Sequence, residues 1–395
     1  MVDLADSAAE ATFRKVVRDF IAEHGEKGRY MGAGEGTGDE PDWKERQRPW
    51  REALVSRGWI APAWPKEWGG ASLSYSEQFV LKQELAEAGL QNTGGLGVDH
   101  LGPTLMVHGT EEQKRAHLSG ILSGDVFWCQ GWSEPGAGSD LAALQTRAVR
   151  DGDDYVINGQ KIWTSGAHRA DWIFLLTRTD PDAPKHRGIT LLMMNMKQPG
   201  VQVRPLINMG NTHGFNEVFF EDARTPVQNR IGEENRGWYV GLTLTDFERS
   251  SIGSNVTAQR RLRETRELAK RSPANQVQGR ASATWRLAFA DRWMEAEVSK
   301  LFAYRVVTMQ NAGRVPNYEG SMAKVFLAEI NQHVARTGLQ LYGLYGTMWD
   351  HDREEADKGM AAERYLSAVS STIAGGTSEI QRNIIATRGL GLPRG

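Results

Sequence analysis

Residues 128–140 read Trp-Cys-Gln-Gly-Trp-Ser-Glu-Pro-Gly-Ala-Gly-Ser-Asp, and their types permit close contact with a ligand. Gly136, Ala137 and Gly138 let a backbone approach a flat or phosphorylated group, Ser133 and Ser139 add hydroxyl donors at either end, and Pro135 fixes the turn between them. A second run, Gly159-Gln160-Lys161-Ile162-Trp163-Thr164-Ser165-Gly166-Ala167, sets an aromatic ring two residues from a hydroxyl. Taken alone, Trp163 reads as an ordinary buried tryptophan on a strand. Glu248, in Asp246-Phe247-Glu248-Arg249, reads on residue type as a helix-borne acid in a solvated ion pair with Arg249. Gln340-Leu341-Tyr342-Gly343-Leu344-Tyr345-Gly346 reads as a helix that ends at a glycine turn. A further glycine turn, Gly375-Gly376, leads into Thr377-Ser378-Glu379.

Three regions must hold these segments in place. To about residue 125 the pattern is helical: Ser7 and Glu10 have capping-box spacing, Phe13, Val16, Val17, Phe20 and Ile21 form an apolar stripe, and Gly25 is expected to stop that helix. The acidic, glycine-rich stretch Met31 to Asp42 reads as a loop. From 126 to 232 the period changes to that of strands. Tyr155-Val156-Ile157 and Lys161-Ile162-Trp163, separated by Asn158-Gly159, predict a tight hairpin. Further strands are expected at Trp172 to Thr177, Ile189 to Met194 and Asn216 to Phe220. From 233 to 395 helices return, one of them marked by Met322, Val325, Phe326, Ile330 and Val334. The fold class is therefore α+β, with an antiparallel β-domain between an N-terminal helical domain and a C-terminal helical bundle.

The chain has 395 residues, enough for more than one core, and its 47 basic and 49 acidic residues nearly cancel. Nothing in that balance favours nucleic acid or an acidic membrane surface. The single cysteine, Cys129, excludes an internal disulfide and leaves too few thiols for a zinc or iron–sulfur site, so no metal is expected. No apolar run is long enough for a membrane span, and the start lacks the apolar core of a secretory signal. A cytoplasmic protein is the simplest expectation.

Read whole, Ser133-Glu134-Pro135-Gly136-Ala137-Gly138-Ser139-Asp140 resembles the flavin-binding segment of the acyl-CoA dehydrogenase family, T/S-E-P-x-A-G-S-D. The run through Trp163 is similar to the family's strand that covers one flavin face, and residues 373–385 to its C-terminal flavin-binding turn and helix. The resemblance implies an FAD site to which Gln130, Trp132, Ser133, Gly138, Ser139, Trp163, Ser165, Thr377 and Glu379 contribute. In it Trp163 shields the ring, Ser165 reaches the N5 edge, Trp132 and Ser133 lie at the pyrimidine edge, and Ser139 meets the ligand's pantetheine. Residues 340–346 resemble more loosely the Q-x-x-G-G-x-G segment that meets a neighbouring subunit's FAD, which implies Gln340 and Gly343 there. The implied chemistry is α,β-desaturation of an acyl-CoA thioester, with electrons passed to an electron-transfer flavoprotein.

Two departures shape that expectation. Many members carry a catalytic glutamate where this chain has Gly375, which keeps only its backbone N–H for the thioester oxygen. Isovaleryl- and long-chain-type members place the base on a helix just before an arginine, which implies Glu248 as base and Arg249 as a structural or ligand-side residue. The family's R-x-x-F-G half-site is absent, and Lys270 to Arg280 contains Pro273 instead. The resemblance then implies a homotetramer with a remodelled loop or a heterotetramer with a related subunit. A half-site or non-catalytic subunit and an acyl-CoA oxidase-like flavoprotein are the alternatives.

Overall fold

A computed structural model describes residues 6–31, 42–92, 94–248, 254–271, 283–348 and 360–393. The chain forms two compact units. One contains α1 (Ala8–His24), α3 (Tyr75–Glu87), α7 (Ser254–Arg271), α8 (Ala283–Asn311), α9 (Tyr318–Tyr342), α10 (Met360–Ala368) and α11 (Ser378–Ile384). The other contains α2 (Trp43–Ser56), α4 (Gly102–His108), α5 (Glu111–Ser123), the sheet and α6 (Gly237–Glu248).

In the helical unit, α1 starts where expected. The Ser7 N–H donates to Glu10 Oε2 at 2.7 Å and the Glu10 N–H to Ser7 Oγ at 3.2 Å. Gly25 does not stop the chain's helical path. It has right-handed φ −61°, and the backbone tightens there into a 3₁₀ segment, Gly25–Met31. Gly25 lies close to Leu90 instead, with a built Cβ 3.3 Å from Leu90 Cδ1. Most of the Met31 to Asp42 stretch falls outside the described residues. Arg14 and Arg18 both reach Glu84 on α3, at 2.7 and 2.8 Å, and fasten α1 to α3. Val325, Ile330 and Val334 of the expected stripe are buried on α9, which touches α7, α8, α10 and α11. A core of Ala258, Leu262, Ala296, Ile330 and Val334 holds this bundle together.

The other unit is built on an eight-stranded sheet. Its path runs β6 (Val201–Leu206), β7 (Phe215–Pro226), β3 (Asp154–Lys161), β2 (Arg147–Asp151), β4 (Trp172–Arg178), β5 (Ile189–Asn195), β8 (Arg230–Ile231). Most pairings are antiparallel, but β1 (Trp128–Gly131) runs parallel to β4, and β2 meets β4 in a parallel bridge. Tyr155, Ile157, Ile173, Leu175, Leu192, Met194, Val218 and Phe220 pack one continuous core. Gln113 of α5 donates to the Gln228 and Arg230 carbonyls at 2.7 and 2.8 Å, joining the helical layer to the last strand.

The expected hairpin at Asn158-Gly159 is a bulge inside a single strand. Its register against β7 shifts between Ile157 and Gly159, and Gly159 has φ +147°. The chain reverses earlier, at Gly152-Asp153 between the paired residues Asp151 and Asp154. An Asn-Gly pair supplies the backbone freedom for either device. Here the Asn158 amide is held by Asp222, donating to its Oδ1 and accepting from its N–H at 2.9 Å each. A Cβ on Gly159 would lie 2.7 Å from Thr146 Cα. Gly159→Val is therefore expected to lose about 2–4 kcal/mol in urea unfolding, from strain and overpacking together.

Candidate active site

The loop after β1 is fixed by a buried ion pair. Lys161, fully buried, places Nζ 2.8 Å from Glu134 Oε1 and 3.2 Å from the Trp132 carbonyl. The Glu134 carboxylate also accepts the Gln145 and Thr146 N–H groups at 2.6 and 2.9 Å. Backbone bonds between Glu134 and Ala137 close the turn, and the Ile162 N–H donates to the Ser133 carbonyl at 2.9 Å. Burial lowers the Lys161 ammonium to about 8, against the pull of Glu134. Burial alone would raise Glu134, but the Lys161 charge and its hydrogen bonds outweigh that and hold the carboxyl below its usual range.

Around this anchor the expected ligand-facing residues lie open. Ser139 and Gly138 are exposed, and Ser133 is half-buried. A Cβ on Gly136 or Gly138 would meet nothing within 4 Å, so neither glycine is required by packing within the chain. Gln130 lies on β1, opposite Phe174, and is half-buried. Trp132 is half-buried, and its Nε1 is shielded from water with no hydrogen-bond acceptor among the described residues.

Trp163 is not a buried strand tryptophan. It follows β3, has φ +59°, and is 54 % exposed, with its ring edge-on to Phe215 at 5.9 Å. A bulky residue in left-handed backbone costs energy and needs a surrounding clamp. The clamp is Asn216, fully buried on β7. Its amide donates to the Thr164 carbonyl at 3.1 Å and meets His168 Nδ1 at 3.0 Å, while its Oδ1 meets His213 Nε2 at 2.9 Å. The Thr164 and Gly166 N–H groups bond the Asn216 and Gly214 carbonyls, both at 3.0 Å. His168 and His213 stack at 4.1 Å beside it. The result presents Trp163 and the exposed Ser165 side by side, with Thr164 Oγ1 buried and unbonded among the described residues.

The helix α6 approaches this sheet through two glycines. A Cβ on Gly237 would lie 2.3 Å from Leu191 N, and one on Gly241 would lie 2.6 Å from Trp132 Cη2. The Trp132 indole thus rests on α6 at Gly241. Glu248 closes α6 seven residues further on, so the helical period returns its position to the face of Gly241, about 10 Å along the axis. The Glu248 side chain and Arg249 lie outside the described residues. The Gly-x-x-x-Gly spacing at 237 and 241 was a readable sign of close helix packing, and sequence reasoning missed it, as it missed Asn216.

The other unit holds the remaining expected residues. α9 ends at Tyr342, and Gly343 caps it with φ +57°, next to an exposed Gln340. Thr377 caps α11, its Oγ1 accepting the Ile380 N–H at 3.2 Å, and Glu379 is exposed in the first turn. Gly375 and Gly376 have φ +64° and +87°. Their carbonyls are taken by Gln381 Nε2 at 2.9 Å and Lys324 Nζ at 2.7 Å. The stretch 272–282, where the arginine–phenylalanine–glycine half-site would fall, lies outside the described residues. Among the described residues no group of three acidic, histidine or cysteine side chains could hold a metal.

Comparison with known proteins decides the family. Profiles described as Acyl-CoA dehydrogenase N-terminal, middle and C-terminal domains match residues 7–125, 129–223 and 235–390. The "Acyl-CoA dehydrogenase IpdE1" of Mycobacterium tuberculosis is 37% identical over 391 residues, covering 97% of each chain. The chain belongs to the acyl-CoA dehydrogenase family. It is an oxidoreductase of that type, with the family's helical N- and C-terminal domains and central β-domain. The "Acyl-CoA dehydrogenase FadE26" of the same organism is 38% identical over 356 residues, 87% of this chain and 88% of its own. Among solved structures, the "Tcur3481-Tcur3483 steroid ACAD" matches with a TM-score of 0.85 and 34% identity over 100% of both chains. The "ChsE4-ChsE5 complex from Mycobacterium tuberculosis" matches with a TM-score of 0.83 and 34% identity, over 100% of both chains.

Removing one partner of the buried pair should expose its cost. Lys161→Met leaves Glu134 buried and uncompensated and is expected to lose about 3–5 kcal/mol in urea unfolding, with part recovered by Glu134→Gln in the same chain. The acid side carries a sign as well. Because the folded Glu134 carboxyl is lowered, its stabilisation is complete above its ordinary value of 4.5 and is lost as pH falls through the folded value. Melting curves between pH 7 and pH 3 should show a smaller acid loss for Glu134→Gln than for the parent.

Proposed function

We propose that the chain desaturates an acyl-CoA thioester between its α and β carbons, using FAD held against the Trp132–Ser139 loop and the Trp163–Ser165 edge. The observation that carries this reading is Trp163: a large ring kept in left-handed backbone by a buried clamp, yet half open to solvent. Such a cost is explained by a flat partner on that ring. The residues around it fit a flavin. Trp132 Nε1 and Thr164 Oγ1 are buried polar atoms lacking a partner among the described residues, and Ser133, Ser139 and Ser165 add hydroxyls. Bound there, FAD would supply the acceptor for the β-hydrogen, taken as hydride. Gln340 and Gly343 are proposed to meet a neighbouring subunit's FAD, and Thr377 and Glu379 are proposed as further cofactor contacts.

Glu248 is the proposed base for the α-proton. It ends the helix whose Gly241 carries Trp132, and Gly375 vacates the alternative position. The Gly375 N–H would donate to the thioester oxygen, where negative charge develops as the proton leaves. Arg249 is proposed as a ligand-side residue. The relative titled a steroid ACAD and the two-protein ChsE4-ChsE5 complex support a bulky acyl group and assembly with a related subunit. The apolar side chains Leu287, Met294, Val298 and Leu301, exposed along α8, supply a face for such assembly, whether in a homotetramer or a heterotetramer. An electron-transfer flavoprotein is the proposed electron acceptor. A reducing compartment such as the cytoplasm is the proposed location, since the chain's single cysteine, Cys129, leaves no internal disulfide. Among the described residues no helix is long and apolar enough to cross a membrane.

Purified protein is expected to carry non-covalent FAD, and Trp163→Ala should weaken FAD binding about tenfold or more in a fluorescence titration. Failure to bind FAD in any assembly state would defeat the reading. Glu248→Gln should keep FAD and slow its bleaching by acyl-CoA about 10²–10⁴-fold in stopped-flow absorbance. Gly375→Glu in that background should restore only part of the rate, because a glutamate at φ +64° is strained.

A further inference from the structure

Asn216 fixes the protonation of two histidines as well as the backbone beside Trp163. A backbone carbonyl can only accept, so the 3.1 Å bond to the Thr164 carbonyl turns the amide nitrogen of Asn216 toward that residue. The same nitrogen meets His168 Nδ1 at 3.0 Å, and Nδ1 must therefore be a bare acceptor. The amide oxygen meets His213 Nε2 at 2.9 Å, which must carry a hydrogen and donate. Both amide hydrogens are thereby used, one on the backbone and one on a ring. The two imidazoles, stacked at 4.1 Å, then respond differently to acid. His213 gains a proton on Nδ1 and still donates through Nε2. His168, neutral with its hydrogen on Nε2, can gain one only on Nδ1, where two donors would face each other.

That contact lies where the strained backbone is held. The Thr164 N–H donates to the Asn216 carbonyl and the Thr164 carbonyl accepts from the Asn216 side chain, so the peptide groups on both sides of Thr164 are pinned. One is the carbonyl side of Trp163, at φ +59°, and the other leads into Ser165. We infer that Asn216 and His168 are positioning residues for the flavin face, and that the Trp163 ring and the Ser165 hydroxyl are held in place only while His168 is neutral. Acid releases them by setting donor against donor at Asn216. The inference rests on the FAD reading for the identity of the ligand, but not for the clamp.

The charged groups on the elements packed against His168 are turned to other partners. In its own 3₁₀ segment, Ala167–Arg169, the Arg169 guanidinium lies over the Trp43 and Phe127 rings at 4.8 and 5.6 Å. On β6, Arg204 lies over Phe219 at 4.4 Å, and on β7 Glu217 accepts from Gln160 at 2.9 Å. Further along β7, Asp222 accepts from Asn158, Arg224 pairs with Asp151, and Glu221 is exposed. β1 carries no charged residue. The histidine pair is therefore the group through which pH reaches this clamp.

Deflavinated full-length protein titrated with FAD between pH 8 and pH 5.5, followed by flavin fluorescence, is the measurement. In the parent the Kd should rise as pH falls, by up to about tenfold per pH unit once His168 takes up its proton. His168→Asn places an oxygen acceptor where Nδ1 stood and cannot be protonated, so its Kd should change less than about twofold across the range. His168→Leu, which leaves the amide N–H without an acceptor, should bind FAD about tenfold more weakly at every pH. Hydrogen exchange of a peptide covering residues 164–166, in the FAD-free parent and corrected for the intrinsic effect of pH, should accelerate over the same acid range and stay level in His168→Asn. A parent Kd that is flat with pH would overturn the inference, as would the same acid rise in His168→Asn. Acid-driven exchange at 164–166 in a chain that binds no FAD at any pH would uphold the clamp and remove the flavin reading.

Discussion

The candidate site depends first on one buried salt bridge. Lys161 and Glu134 come from a strand and a loop; the lysine is fully buried and the glutamate nearly so. Such a pair seldom adds net stability, because stripping water from both ions costs about as much as their attraction returns. What it adds here is geometry. The carboxylate gathers two backbone N–H groups and the ammonium, and the ammonium reaches back to the Trp132 carbonyl. The loop cannot move away from β3 without leaving a charge unsolvated. Ser133, Trp132 and the start of the Trp163 edge are therefore fixed relative to one another before any ligand arrives.

The second constraint is the stapling of residues 164–166 to 214–216. Asn216 uses its amide and its backbone on the same short segment, and a stacked histidine pair closes around it. This lets the chain hold a tryptophan in backbone that favours glycine. A rigid, exposed ring loses little freedom when a flat ligand covers it, which is how a strained residue can serve binding.

Much of this was legible in the sequence, for reasons that differ by element. The capping box at Ser7 depends on three adjacent residues, and local chemistry decided it. The strand at Ile189–Asn195 is apolar enough to declare itself. Asn158-Gly159 misled because the same dipeptide serves turns and bulges, and the choice rests on Thr146 and Asp222, both distant in sequence. Gly25 misled because a helix can tighten instead of ending. Trp163 read alone belonged in a core; only its backbone conformation and the clamp from β7 turn it outward. The glycine-rich turn at 133–140 was legible as a loop, whereas the reason it holds still, a lysine beyond the motif, was not.

The contact between Trp132 and Gly241 makes α6 a ruler as well as a support. Its two glycines, pressed on Leu191 and on the indole, fix where the helix sits and how it is turned. Everything beyond Gly241 is then placed by counting residues. One residue more or fewer before Glu248 would swing that position about 100° around the axis, away from the face the indole touches. Evolution can thus vary the side chains along this stretch to suit different substrates far more readily than it can vary its length.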